Sequence, residues 1–173
     1  MIEEAAVVAA QVGRPLRSQV RVLGRCHLGL PVVVEVPPLL DDGTPFPTRY
    51  WLSCPLAVRR IGRLEAAGVV RDMDRRATED AGFGELLAAA HARYAAERDA
   101  LVPEDALHRP SGGVAGGSSV KCLHAHYADH GAGNQNPVGE MTASEIEPLD
   151  CPIPCVVEGP GGAVRNPEWV EPG

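Results

Sequence analysis

Lysine is almost missing from this chain: Lys121 is the single lysine among 16 basic residues. Aromatic residues make up only 4% of the 173 positions, and acids outnumber bases to leave a formal net charge of -7. Each shortage excludes something. With so few aromatics, a core must rest mainly on Val, Leu, Ile and Ala. An acidic balance excludes a duplex-binding face, because neutralising phosphates needs a clustered basic surface. The arginine bias, beside abundant Ala, Gly, Val and Pro, reads as the codon usage of a GC-rich bacterial genome. The one basic cluster, Arg59, Arg60 and Arg63, falls at spacings that suit a solvated helix face.

Long apolar runs are missing too. The AAVVAA stretch near the N-terminus is too short to cross a bilayer, and the acids before it stand where a signal peptide would carry bases. These features predict a cytoplasmic address, where thiols stay reduced, so the five cysteines are not expected to form a disulfide framework. Paired C-x-x-C elements are also absent. Cys151 and Cys155 are spaced C-x-x-x-C, which falls short of a zinc-ribbon pattern.

What is there reads as one aliphatic domain, long enough to remove roughly 70% of its unfolded surface from water. Residues 2–12 form a short amphipathic helix ended by Gly13 and Pro15. Strand patterns cover Gln19 to Leu23, Pro31 to Val36 and Arg49 to Ser53, with a turn at Arg25 to Gly29 and a polar loop around Asp41 to Pro45. Pro55 opens a helix that Gly68 closes, and further helical patterns run over 70–77 and 79–100. From Val102 to Ser119 the chain is rich in Pro, Gly and Ser, a loop of the length usually kept for function. Lys121 to His130 has helical character, a Gly/Asn loop follows to Gly139, and a hairpin is expected around Gly159 to Gly162.

The segment Lys121-Cys122-Leu123-His124-Ala125-His126-Tyr127-Ala128-Asp129-His130 packs one Cys, three His and one Asp into ten residues. On a helix, Cys122, His126 and His130 share a stripe with Asp129 beside them, and His124 points nearly opposite. On a strand, Cys122, His124 and His126 share a face instead. Zinc takes deprotonated Cys and neutral His, usually from two or more segments, so Cys54, Cys151, Cys155 and Cys26 are candidate companions. Free cysteines also commonly serve only to pack. A thiol enzyme would use the same residues differently, with Cys122 as nucleophile at a helix N-terminus and a nearby His as base. His91 sits in a long helix with no partner in sequence, and His27 and His108 fall in turns. The Asp41-Asp42-Gly43-Thr44 element is turn chemistry before it is a cation site.

The motifs Gly29-Leu30-Pro31, Asp42-Gly43-Thr44-Pro45-Phe46-Pro47-Thr48, Trp51-Leu52-Ser53-Cys54-Pro55, Arg63-Leu64-Glu65-Ala66-Ala67-Gly68-Val69, Lys121-Cys122-Leu123-His124 and Asn136-Pro137-Val138-Gly139 give the chain a resemblance. It resembles the bacterial family catalogued as domain of unknown function 501, typical of high-GC Gram-positive bacteria, over about residues 5–157. Genes near those of family members encode a septum-formation initiator, enolase and an exopolyphosphatase-like protein, which implies a housekeeping setting. The resemblance draws attention to Cys26, Cys54, Cys122, His124 and Cys155. Where many members carry C-x-C-G, this chain has Cys26-His27-Leu28-Gly29 and lacks the second thiol.

The sequence therefore predicts an α+β fold, a small antiparallel sheet packed against three to five helices, as a single domain over 1–157 with a C-terminal tail at 158–173. The leading metal quartet is Cys54, Cys122, His126 and Cys155, with Cys26, His124 and His130 as further candidates. Asp42, Thr44, Lys121 and Asn136 mark candidate functional loop positions. Zinc suits this mixed set; an iron-sulfur cluster would prefer Cys26, Cys54, Cys122 and Cys155. Three functions follow: a protein with a structural or catalytic zinc site, a thiol- or metal-dependent hydrolase using Cys122 and a neighbouring His, and a non-enzymatic partner-binding protein linked to cell division. No nucleic-acid partner and no membrane insertion are expected.

Overall fold

The structure, a computed structural model, describes residues 3–115 and 117–173. Ile2, at the start of the expected first helix, and Gly116, in the Gly/Ser-rich loop, lie outside them. Helix α1 (Glu4–Val12) ends where Gly13 takes a left-handed φ of 73° and returns its N–H to the Ala9 carbonyl. That conformation is cheap only for glycine. Strands β1 (Arg21–Arg25), β2 (Pro31–Glu35) and β3 (Tyr50–Leu52) form an antiparallel sheet in the order β1-β2-β3, with Arg25 opposite Pro31 and Glu35 opposite Tyr50.

The central strand β2 explains how the layers stack. Successive side chains point to opposite faces of a sheet, and Val33 joins the main core while Val34 joins a smaller cluster with Val8 and Val36 beneath α1. Both faces of β2 are therefore covered, which is why its sequence is a continuous apolar run and not an alternating one.

Helices α2 (Pro55–Ala66), α3 (Val69–Glu79) and α4 (Ala81–Ala100) follow in close succession. Asp80 caps α4 by accepting the Phe83 N–H at 3.1 Å. Phe83, Leu87 and Tyr94 of α4 enter the main core, each burial contributing about 1.5–3 kcal/mol. After the Pro/Gly/Ser-rich stretch, which holds a 3-10 turn at Gly113–Ala115, come α5 (Leu123–Gly131) and α6 (Pro137–Ile146). A hairpin of β4 (Val156–Gly159) and β5 (Gly162–Arg165) packs back on α1, where Arg165 donates to the Ala10 and Gln11 carbonyls at 3.0 and 2.9 Å.

The α+β architecture agrees with the sequence expectation. Helix α6 is an addition: residues 137–139 read as the end of a loop because of the preceding Gly/Asn run, yet Asn136 caps this helix through the Gly139 N–H at 2.9 Å and Pro137 occupies its first turn. No helix among the described residues is long and apolar enough to cross a membrane.

Candidate functional site

Helix α5 starts one residue later than a stripe of Cys122, His126 and His130 requires. Cys122 is the N-cap, in extended conformation with φ -158° and ψ 121°, and its side chain makes no capping hydrogen bond. The thiol consequently leaves the His126 face and meets His124, with Sγ 3.7 Å from Nδ1. Capping falls to Glu65, in the last turn of α2, whose Oε1 accepts the Leu123 N–H at 2.7 Å. A carboxylate there opposes the dipole of α2 but suits the N-terminus of α5.

The same Oε1 stands 3.2 Å from His124 Nδ1, and the other ring nitrogen, Nε2, stands 3.1 Å from the Val58 carbonyl. A carbonyl only accepts, so Nε2 carries a proton and Nδ1 is the atom offered to Cys122 and Glu65. In the metal-free protein the ring favours its charged form, with its pKa raised to about 9. The hydrogen bond with Cys122 is the largest cause, and the Glu65 charge and the Val58 carbonyl also raise it against partial burial. Among the described residues, Glu65, Cys122 and His124 are the group of three or more His, Cys, Asp or Glu whose ligating atoms all lie within 4.8 Å of one another.

The expected quartet is distributed differently. His126 is fully buried, and its Nδ1 lies 3.0 Å from Asn136 Oδ1. Cys54 is buried as the N-cap of α2; burial chiefly pushes its thiol up to about 11, and the neighbouring thiols of Cys155 and Cys151 add to the shift. Cys155 accepts a long hydrogen bond from Gln11 Nε2 at 3.6 Å, and Cys151 one from Trp169 Nε1 at 3.4 Å. Cys26, in the β1-β2 turn, lies near enough to Cys155 for like charges to interact. Four thiols thus gather toward one end of the sheet, while Cys122 sits with His124 and Glu65.

His130 is half-buried and lines a surface cleft with Asn136 and Glu140. Asp42 and Thr44 form an exposed turn, Asp42 Oδ1 accepting the Thr44 N–H at 2.9 Å and Oδ2 pairing with Arg17 at 2.6 Å. Those hydrogen bonds, the Thr44 ones foremost, pull Asp42 down to about 2. Lys121 is exposed. Asn136 is a buried hub in contact with His126, Asp129 and the Gly139 N–H.

Sequence reasoning missed Glu65. Its one signal was an acid in the last turn of an expected helix, where a base would be favoured.

A family model described as a protein of unknown function (DUF501) matches residues 22–144. That is well over half of the chain, and the chain belongs to this family. No curated protein and no solved structure matches it.

Proposed function

We propose that this DUF501 member binds a zinc-type divalent ion through Cys122 Sγ, His124 Nδ1 and Glu65. The spacing of the donors carries the reading. A tetrahedral zinc with ordinary bond lengths separates a nitrogen from an oxygen ligand by about 3.4 Å, and a sulfur from a nitrogen by about 3.6 Å. The corresponding distances here are 3.2 and 3.7 Å. The Nε2–H bond to the Val58 carbonyl supports it further, because a ligating His typically donates its second nitrogen to such an acceptor.

Three protein ligands leave a fourth position for water, the arrangement that distinguishes catalytic from closed structural zinc. The ion would also fasten the N-terminus of α5 to the end of α2. It would supply a Lewis acid and a water of lowered pKa. Zinc content measured on protein purified without oxygen tests the reading. The parent is expected to hold about one ion per chain more than Cys122→Ser does. A metal-free parent that also fails to take up added zinc sinks it.

The thiol-enzyme reading has one observation in its favour: Cys122 lies at a helix N-terminus beside an imidazole held in its charged form. It predicts a fast-reacting Cys122 with no metal requirement, whereas the zinc reading predicts that bound metal protects the thiol.

A further inference from the structure

Two buried histidines outside the Glu65-Cys122-His124 group point unpartnered nitrogens into the interior. Asn136 Nδ2 donates to Asp129 Oδ2 at 2.9 Å, and Asn136 Oδ1 accepts the Gly139 N–H at 2.9 Å, which fixes the orientation of the amide. The atom facing His126 Nδ1 at 3.0 Å is therefore an acceptor, and Nδ1 must carry the proton. Nε2 of His126 is left with a bare lone pair, buried and without a partner. His91 repeats the arrangement. Its Nε2, too, is buried without a partner.

The two rings are neighbours, with centroids 5.5 Å apart and planes inclined by 41°. His126 is 0% exposed and His91 7%. Neither Nε2 has a hydrogen-bond partner, and leaving both unpaired in an apolar interior is costly. His91 also forms part of the wall of a cleft of about 740 Å³ whose lining includes Asp74, Thr78, Ser118 and Ser119. The cleft gives a route from solvent to His91.

We propose that His91 Nε2 and His126 Nε2 bind a divalent transition-metal ion behind the His91 wall of this cleft, with water in the remaining positions. Imidazole nitrogens suit zinc, nickel, copper and iron. The His126 ring is braced as metal-bound histidines usually are, by the Asn136-Asp129 chain, which ends on Arg93 at 2.5 Å.

The test uses the full chain carrying Cys122→Ser and Glu65→Gln, so that the Glu65-Cys122-His124 group is silenced and its failure cannot be confused with this one. Zinc or nickel is titrated into the metal-stripped protein while the imidazole nitrogens are followed by NMR. The expected result is one ion per chain, bare Nε2 on both rings before addition, and a shift of both Nε2 signals on binding. Adding His91→Phe, or His91→Gln if the first does not fold, is expected to weaken binding at least 100-fold. Three results overturn the proposal: an Nε2 proton on either ring, no shift on adding metal because only water fills the gap, or binding unchanged by loss of His91.

Discussion

Glu65 closes one helix and His124 opens another, yet Oε1 of the carboxylate stands 3.2 Å from Nδ1 of the imidazole. The pair links α2 to α5 and gives Cys122 two companions that its own segment does not supply. Glu65→Gln keeps an oxygen for the Leu123 N–H but removes the charge. It is expected to weaken zinc binding at least about 10-fold, measured by competition with a chromophoric chelator, while leaving the fold intact. Unchanged affinity would remove Glu65 from the ligand set.

Thiol reactivity should separate the cysteines. Cys122 is half-buried beside a cationic ring, whereas Cys54 is buried and its thiol is pushed up to about 11. In metal-free protein near pH 7.5, iodoacetamide is expected to modify Cys122 at least tenfold faster than Cys54. Added zinc should protect Cys122. Peptide mass spectrometry reads both rates, and equal rates would contradict the assignment of environments.

Most of the fold was legible because its signals are local: Gly13 and Gly68 end helices, Pro55 starts one, and three valines mark the buried strand. The site was half legible. The density of ligands at 122–130 marked the right segment, but which histidine faces Cys122 depends on where α5 begins. A one-residue shift of that start moved the thiol from His126 to His124. Glu65 was beyond reach, since 57 positions separate it from Cys122 and only the packing of α2 on α5 joins them.

His124 and His126 are two residues apart, yet their surroundings drive them in opposite directions. In metal-free protein, NMR titration should show His124 losing its proton near pH 9 and His126 gaining one only near pH 4. The depression of His126, chiefly from burial, has a stability consequence. Its folded value lies below the ordinary 6.5, so the unfolded chain takes up the proton first. Stability is therefore lost as pH falls from about 6.5 towards about 4, by about 2–3 kcal/mol from this group. Urea unfolding at pH 7 and pH 4.5 measures the change, and a His126 ring titrating near 6.5 would refute it.

Helices α5 and α6 approach closely at Gly139, where an added Cβ would lie 2.3 Å from the His126 carbonyl oxygen and 2.5 Å from His130 Cβ. No flexible side-chain end is available to give way. Gly139→Ala is expected to cost about 1–3 kcal/mol or more, read from the denaturant midpoint, with zinc affinity falling as α5 shifts. A neutral substitution would mean that the two helices pack differently.

Cobalt substitution tests the central claim most directly, since a thiolate bound to cobalt gives a near-ultraviolet charge-transfer band and a tetrahedral site gives strong visible absorption. The account predicts both features in the parent protein, loss of the thiolate band in Cys122→Ser, and their retention in Cys54→Ser. A thiolate band that survives Cys122→Ser and disappears with Cys54→Ser would place the metal among the other cysteines and contradict the site described here.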